Sequence, residues 1–215
     1  QVNEEINSAN DVNIDSSNVT SSDNGLTVTA RNIDQDGNLS EPSADNISFN
    51  NSPPGFGVSG GASGANSELG YDDNTGQSEE LIVSFDHDIA NVNISFAWMA
   101  SSEDAIVEFY QDGVKVGETN VEGGSDGVDG TVSFAPENGS AFDQVVFKAD
   151  DTGDDDFLIN SISFESVEVE ASVEYPLDIS SNLTDTDGSE SLSITVADLP
   201  DGATLSAGTE NEDGT

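Results

Sequence analysis

The sequence predicts an all-β protein: an antiparallel β-sandwich of jelly-roll or lectin-like type, followed by part of an immunoglobulin-like β-sandwich domain. Three observations carry this. Short runs of alternating apolar and polar residues recur along the chain, the period of a strand with one buried face. Turn dipeptides and glycine–aspartate loops separate them at short intervals. No stretch carries the 3.6-residue period of an amphipathic helix. Composition divides the 215 residues into a linker or edge segment (1–11), a sandwich (12–166) and a partial second domain (167–215).

Leu26, Val28 and Ala30 alternate with Thr27 and Thr29 and read as a strand; Asp34-Gln-Asp-Gly37 reads as a turn. Ile47 and Phe49 form another strand, broken by Pro53-Pro54. Residues 55–73 follow, the densest run of glycine and small residues, expected to be a long loop. Leu81, Val83 and Phe85 then alternate, Asp86-His87-Asp88 reads as a turn, and Val92, Ile94, Phe96 and Trp98 alternate again. The two runs are expected to pair as antiparallel neighbours. Ala105–Tyr110 turns at Asp112-Gly113, a strong hairpin dipeptide, into Val114-Lys-Val116. Residues 122–130 read as a second glycine–aspartate loop before Val132 and Phe134. Phe142–Phe147 and Phe157–Phe164 complete the unit, with the acidic run 150–156 between them. Beyond residue 166, Val167–Val173 alternates with glutamate, and Leu192, Ile194 and Val196 suggest a further strand. About 45 residues are short for a complete immunoglobulin-like domain, so this unit is expected to be partial.

Three lysines and arginines stand against 44 acids, a formal charge of −41. Such a surface repels phosphate backbones and anionic membranes, which argues against a nucleic-acid partner. Ten phenylalanines and many Val and Ile in strand-like runs argue against general disorder. Divalent cations neutralising part of the acid load would reconcile the two; a halophilic surface is the alternative. With no cysteine and one histidine, His87, disulfides, thiolate zinc sites, cysteine nucleophiles and multi-histidine metal sites are excluded. No apolar run approaches membrane-spanning length, and no signal peptide opens the chain, which reads as a cut from a longer protein and as a monomer within it. The sequons at Asn18, Asn46, Asn93, Asn138 and Asn182 are read as chance in so Asn- and Ser-rich a chain.

The chemistry-bearing residues are oxygen ligands. The glycine run, with Gly60 and Gly61, lets backbone approach a ligand closely, and Asn66, Glu68, Asp72 and Asp73 at its end could hold a hard cation. The bland alternative is a solvated loop. Asp150, Asp151, Asp154, Asp155 and Asp156 crowd seven residues and would raise one another's pKa values unless a cation sat among them. In a sandwich this run could lie beside Glu68, bringing Glu68, Asp155 and Asp156 onto one ion. Asp185-Thr-Asp187-Gly-Ser-Glu190 has the spacing of a calcium-wrapping turn, or is an ordinary Asp-Gly turn. Trp98 and Tyr71 are either core residues or ligand-facing platforms. The cofactor expected is calcium, as several ions. No nucleophile-elbow motif is present, and among 44 acids a pair at glycosidase spacing is inevitable, so an enzyme is not expected.

The segment from Tyr175-Pro-Leu-Asp-Ile to Ser191-Leu-Ser-Ile194 resembles the calcium-binding immunoglobulin-like or split domains of giant repeats-in-toxin (RTX) adhesins, bacterial surface proteins exported by type I secretion. Gly57-Val-Ser-Gly-Gly, Ser67-Glu-Leu-Gly-Tyr-Asp72, Phe96-Ala-Trp98, Asp112–Gly117 and Asp155–Phe164 are similar to their peptide-binding modules. The resemblance covers about residues 12 to 210. It implies a calcium-dependent sandwich at the cell surface that grips the C-terminus of a partner protein, with calcium coordinating the ligand carboxylate. On it, Gly60, Gly61, Asn66, Glu68, Tyr71, Asp72 and the run Asp154–Asp156 would serve the ligand site, with Asp185, Asp187 and Glu190 in a structural site. A calcium-dependent glycan-binding module and a calcium-rigidified extender are the alternatives. The long glycine loop speaks against the extender, and the few loop aromatics speak against stacking on sugars.

Overall fold

The computed structural model describes residues 2–21, 24–34, 36–60, 62, 66–152, 154–173, 180–184, 187–188 and 191–196; within 2–11 and 166–173 the description is of backbone alone. Fourteen strands occur in chain order among them: β1 Val2–Asp15, β2 Leu26–Arg31, β3 Ile47–Asn51, β4 Pro54–Val58, β5 Leu69–Asp72, β6 Gln77–Ser78, β7 Glu80–Ile89, β8 Val92–Met99, β9 Asp104–Gln111, β10 Val114–Glu122, β11 Ser125–Val128, β12 Val132–Phe134, β13 Phe142–Ala149 and β14 Asp156–Val173. A 3-10 turn at Ala44–Asn46 is the sole helical element described.

The strands form a sandwich of two antiparallel sheets. Five strands in the order β10-β9-β13-β7-β2 make one sheet. The other has nine, with the path β11-β8-β14-β4-β3; β12 pairs with β8, β1 and β5 pair with β14, and β6 pairs with β5. The chain divides into two compact units, one of residues 4–172, the other of residues 173–215 with 1–3.

The alternating runs become strands because their apolar faces meet in one core. Leu26, Val28 and Ala30 on β2, and Leu81 and Val83 on β7, are all buried and lie side by side in register (Val28 opposite Val83, Ala30 opposite Leu81). Phe96 on β8 joins the sheets: its ring meets Phe157 at 5.5 Å, Phe134 at 6.2 Å and Phe147 at 6.3 Å, each edge to face. A second aromatic group links Phe85, Phe109, Phe142 and Phe164. The hairpin at Asp112-Gly113 forms as expected, with φ of 51° and 75°, the left-handed pair that matches strand twist.

Several sequence expectations are corrected. The first residues of the glycine run are not loop. Gly55-Phe-Gly-Val58 is buried in β4, which reverses tightly from β3 across Ser52-Pro53 (Asn51 opposite Pro54). Glycine stands there because backbone packs on it: a Cβ on Gly57 would lie 2.6 Å from the Ser67 carbonyl oxygen and 3.0 Å from Glu68 Cα. Asp86-His87-Asp88 is not a turn but part of β7, whose register with β13 shifts between Phe142 and Gln144. β7 and β8 are not sheet neighbours: the reversal at residues 90–91 carries the chain from the five-stranded sheet to the nine-stranded one. The loop at 122–130 contains β11, which lies along the end of β8 (Ser125 opposite Met99). Leu192, Ile194 and Val196 are not a strand, and Leu192 and Ile194 are exposed; alternation makes a strand only where a neighbour pairs with it, and none does among the described residues.

Phe96→Ala should remove all three edge-to-face contacts and open a cavity between the sheets. Denaturant unfolding should register a loss of about 3–5 kcal/mol.

Candidate functional site

At one end of the sandwich the chain folds acidic loops against one another. Gly57 allows residues 67–69 to lie directly on β4, and the Ser48 hydroxyl donates to the Ser67 carbonyl at 2.6 Å. β5 then pairs with the start of β14, Leu69 opposite Phe157 and Gly70 opposite Asp156. This sets Glu68 beside Asp156. The link from β8 to β9 carries Glu103, and the link from β10 to β11 folds onto it: Gly123 N–H donates to the Glu103 carbonyl at 2.8 Å and Gly124 N–H to the Met99 carbonyl at 3.0 Å. A Cβ on Gly123 would lie 2.0 Å from the Ala100 carbonyl oxygen, so that approach requires glycine. Asp126 on β11 is thereby brought toward Glu103.

The electrostatics follow from that convergence. Glu68 is buried, at 8% exposure, and has no hydrogen-bond donor among the described residues. Burial, then the charges of Asp156 and Glu103, push its carboxyl up to about 7. Glu103 also rises to about 7. Burial is the main cause and a hydrogen bond from Ala100 N–H opposes it, while Asp156, Asp126 and Asp155 add repulsion. Asp150 is raised by burial and by Asp151, Asp155 and Asp104.

No basic side chain offsets these acids, because all three are committed elsewhere. Arg31 on β2 pairs with Glu80 on β7 at 3.0 Å, and Lys148 on β13 bridges Glu80 at 3.3 Å and Glu108 at 2.9 Å. Lys115 on β10 meets Glu108 on β9 at 2.7 Å and also Glu118. The five-stranded sheet is thus crossed from edge to edge by one ion-pair ladder. Glu108, buried at its centre, takes hydrogen bonds from Lys115, Lys148 and Tyr110 that outweigh the effect of burial and hold it below the usual glutamate range.

The residues singled out by sequence fall into separate places. Glu68 and Asp156 come together, as expected. Asp155 lies in the same loop but is occupied: its carboxylate accepts from Asp104 N–H at 2.8 Å, Thr152 N–H at 3.0 Å and the Thr152 hydroxyl at 2.8 Å. At 3% exposure it ties the acidic loop to β9. Asp154 and Asn66 are exposed. Glu68 and Asp72 do not share a site, since they stand four residues apart along β5, roughly 13 Å on an extended strand. Asp72 instead opens the turn after β5: its carboxylate accepts from Asn74 N–H and the Asn74 amide, each at 2.9 Å, and from the Thr75 hydroxyl at 3.0 Å. These bonds, the Asn74 backbone foremost, lower its pKa. Asp73 is exposed in that turn.

Gly60 and Asp72 line an open polar concavity of about 500 Å³ with Asn32, Asp34, Ser59 and Asn74. Gly60 sits against the fully buried Glu79, whose Oε1 stands where its Cβ would be. Tyr71 is half-buried against the core. Trp98 is half-buried and holds φ at 50°, a left-handed conformation rare outside glycine, next to the residues that pair with β11. Gly61, Asp185 and Glu190 lie outside the described residues, and Asp187 is exposed. Sequence reasoning missed Glu103 and Asp126. Each sits in a Ser-Glu-Asp or Ser-Asp-Gly turn segment with no spacing signal, and topology alone unites them with Glu68.

Among the described residues, no group of three or more His, Cys, Asp or Glu side chains is placed to hold a metal ion, and no helix is long and apolar enough to cross a membrane. No protein-family model matches the chain, and no curated protein matches it significantly.

Glu68 and Glu103 titrate higher folded than unfolded, so the stability they provide is present at low pH and is lost as pH rises through about 7. In chelator, the melting temperature should therefore rise as pH falls from 8 to 6. The Glu68→Gln/Glu103→Gln variant should be more stable than the native chain at pH 8 and show a flatter profile. An unaltered slope would count against this electrostatic picture.

Proposed function

We propose that this chain is a calcium-dependent adhesion module of a bacterial cell-surface protein of the RTX adhesin class, exported by type I secretion, which binds the C-terminal carboxylate of a partner protein or peptide. The observation that carries the reading is the convergence of Glu68, Glu103, Asp126 and Asp156 at one loop end, with Glu68 buried while every basic side chain is engaged in the opposite sheet.

Buried acids in mutual repulsion are the environment that a hard cation relieves. Glu68, Glu103 and Asp156 are the carboxylates that would turn toward it; as placed they repel one another without forming a set of three that could hold a metal ion. Asp155 acts differently, fixing the 150–156 loop through backbone hydrogen bonds. Calcium takes about six to eight oxygens and tolerates irregular geometry, so few protein carboxylates leave positions for ligand oxygens. This answers the charge problem. A surface at −41 cannot attract a peptide carboxylate by its own field, whereas a bound divalent ion supplies local positive charge. The motif resemblance from Ser67 to Asp72 and Asp155 to Phe164 falls on the two segments that bring Glu68 and Asp156 together. In this reading the protein binds its partner and carries out no reaction on it.

The test is an array of peptides with free and amidated C-termini, read with calcium and with chelator. Binding should need both calcium and the free carboxylate, and Glu103→Gln should weaken it at least tenfold, about 1.4 kcal/mol. Binding that survives amidation would contradict carboxylate capture. A chain that binds no peptide but melts lower in chelator would be an extender.

A further inference from the structure

A second concavity lies on the outer face of the nine-stranded sheet. It measures about 420 Å³. Where β8 and β14 pair, Ile94 lies opposite Ile162 and both are fully buried, while Asn93 lies opposite Ser163 and both are half-buried, on the alternate face. Ser161 is the next residue of β14 on that face. Asn13 near the end of β1, Asn91 in the β7–β8 reversal and Thr131 before β12 complete the lining. Three amides and three hydroxyls thus face one hollow.

None of these six side chains has a hydrogen-bond partner among the described residues. Their neighbour on the same sheet behaves otherwise: the Ser95 hydroxyl donates to the Asp129 carbonyl at 2.8 Å. Charge is also unusual here. In a chain with 44 acids, one of the described lining residues is acidic, the exposed Glu165. An anion is repelled by the surrounding field, and a cation finds no cluster of carboxylates. What remains is a neutral ligand rich in groups that both donate and accept, which is what amides and hydroxyls match. The volume lies within the roughly 300–1,000 Å³ of small-ligand clefts.

The geometry points to a calcium-independent binding site for a neutral saccharide in this groove, formed by Asn13, Asn91, Asn93, Thr131, Ser161 and Ser163. It shares no residue with the acidic loop end and stands or falls separately from the peptide-binding reading.

The test uses the 215-residue chain on a glycan array in chelator, followed by calorimetric titration with the best neutral oligosaccharide. Neutral glycans should bind without calcium, and the Asn93→Ala/Ser163→Ala variant should weaken that binding at least tenfold. Both residues face outward, and an unchanged melting temperature would verify that the variant is folded. Thr131→Val, which removes a hydroxyl at nearly constant volume, is a second probe should the double variant unfold; it should also weaken binding. No glycan binding in chelator, binding restricted to acidic glycans, or affinity unchanged in the folded variants would each overturn the assignment.

Discussion

All the basic side chains of this protein lie in one place. Arg31, Lys148 and Lys115 interleave with Glu80, Glu108 and Glu118 across the five strands of one sheet, and no lysine or arginine is left for the other 41 acids. An ion-pair network spanning strands distant in sequence helps to define their order, and Glu108 is satisfied at its centre by three donors. The consequence is felt at the loop end of the sandwich, where the buried Glu68 and the half-buried Glu103 repel neighbouring acids with no basic side chain beside them. Unrelieved, such repulsion opposes the compact state.

Glycine determines where that repulsion is concentrated. At Gly57 and Gly123 a side chain would collide with backbone oxygen at 2.6 and 2.0 Å, so these residues let two loops close onto neighbouring strands and carry Glu68 and Glu103 with them. Asp155 completes the arrangement by pinning the acidic loop to β9. The acids are therefore brought together by backbone packing at Gly57 and Gly123 and by the hydrogen bonds that the Asp155 carboxylate accepts. Repulsion of this kind is what a cation, once bound, would relieve.

Much of the fold was legible in the sequence, because period-two alternation and turn dipeptides report local structure. The strands containing Leu26–Ala30, Val92–Trp98 and Phe142–Phe147 and the Asp112-Gly113 hairpin follow directly. Composition misled where it has two physical meanings. Glycine at 55 and 57 reads as loop freedom, yet here it marks backbone packed on backbone; Asp86-His87-Asp88 reads as a turn, yet it continues a strand past a register shift. The separation of β7 and β8 into different sheets is not legible, because sequence proximity does not say which sheet a strand joins. The candidate site was half legible. Glu68 and Asp156 are legible as neighbours because the last strand runs beside the end of the glycine run. Asp72 could not join them once residues 69–72 were extended. Glu103 and Asp126 were invisible, since only the tertiary fold brings residues 68, 103, 126 and 156 to one end.

The central claim is that this loop end holds a divalent cation. Calorimetric titration of the 215-residue chain with calcium, beside its Glu68→Gln/Glu103→Gln variant, tests it most directly. The expected result is that the native chain shows a binding step which the folded variant lacks, any remaining steps being common to both. Identical titrations of the two proteins would contradict it.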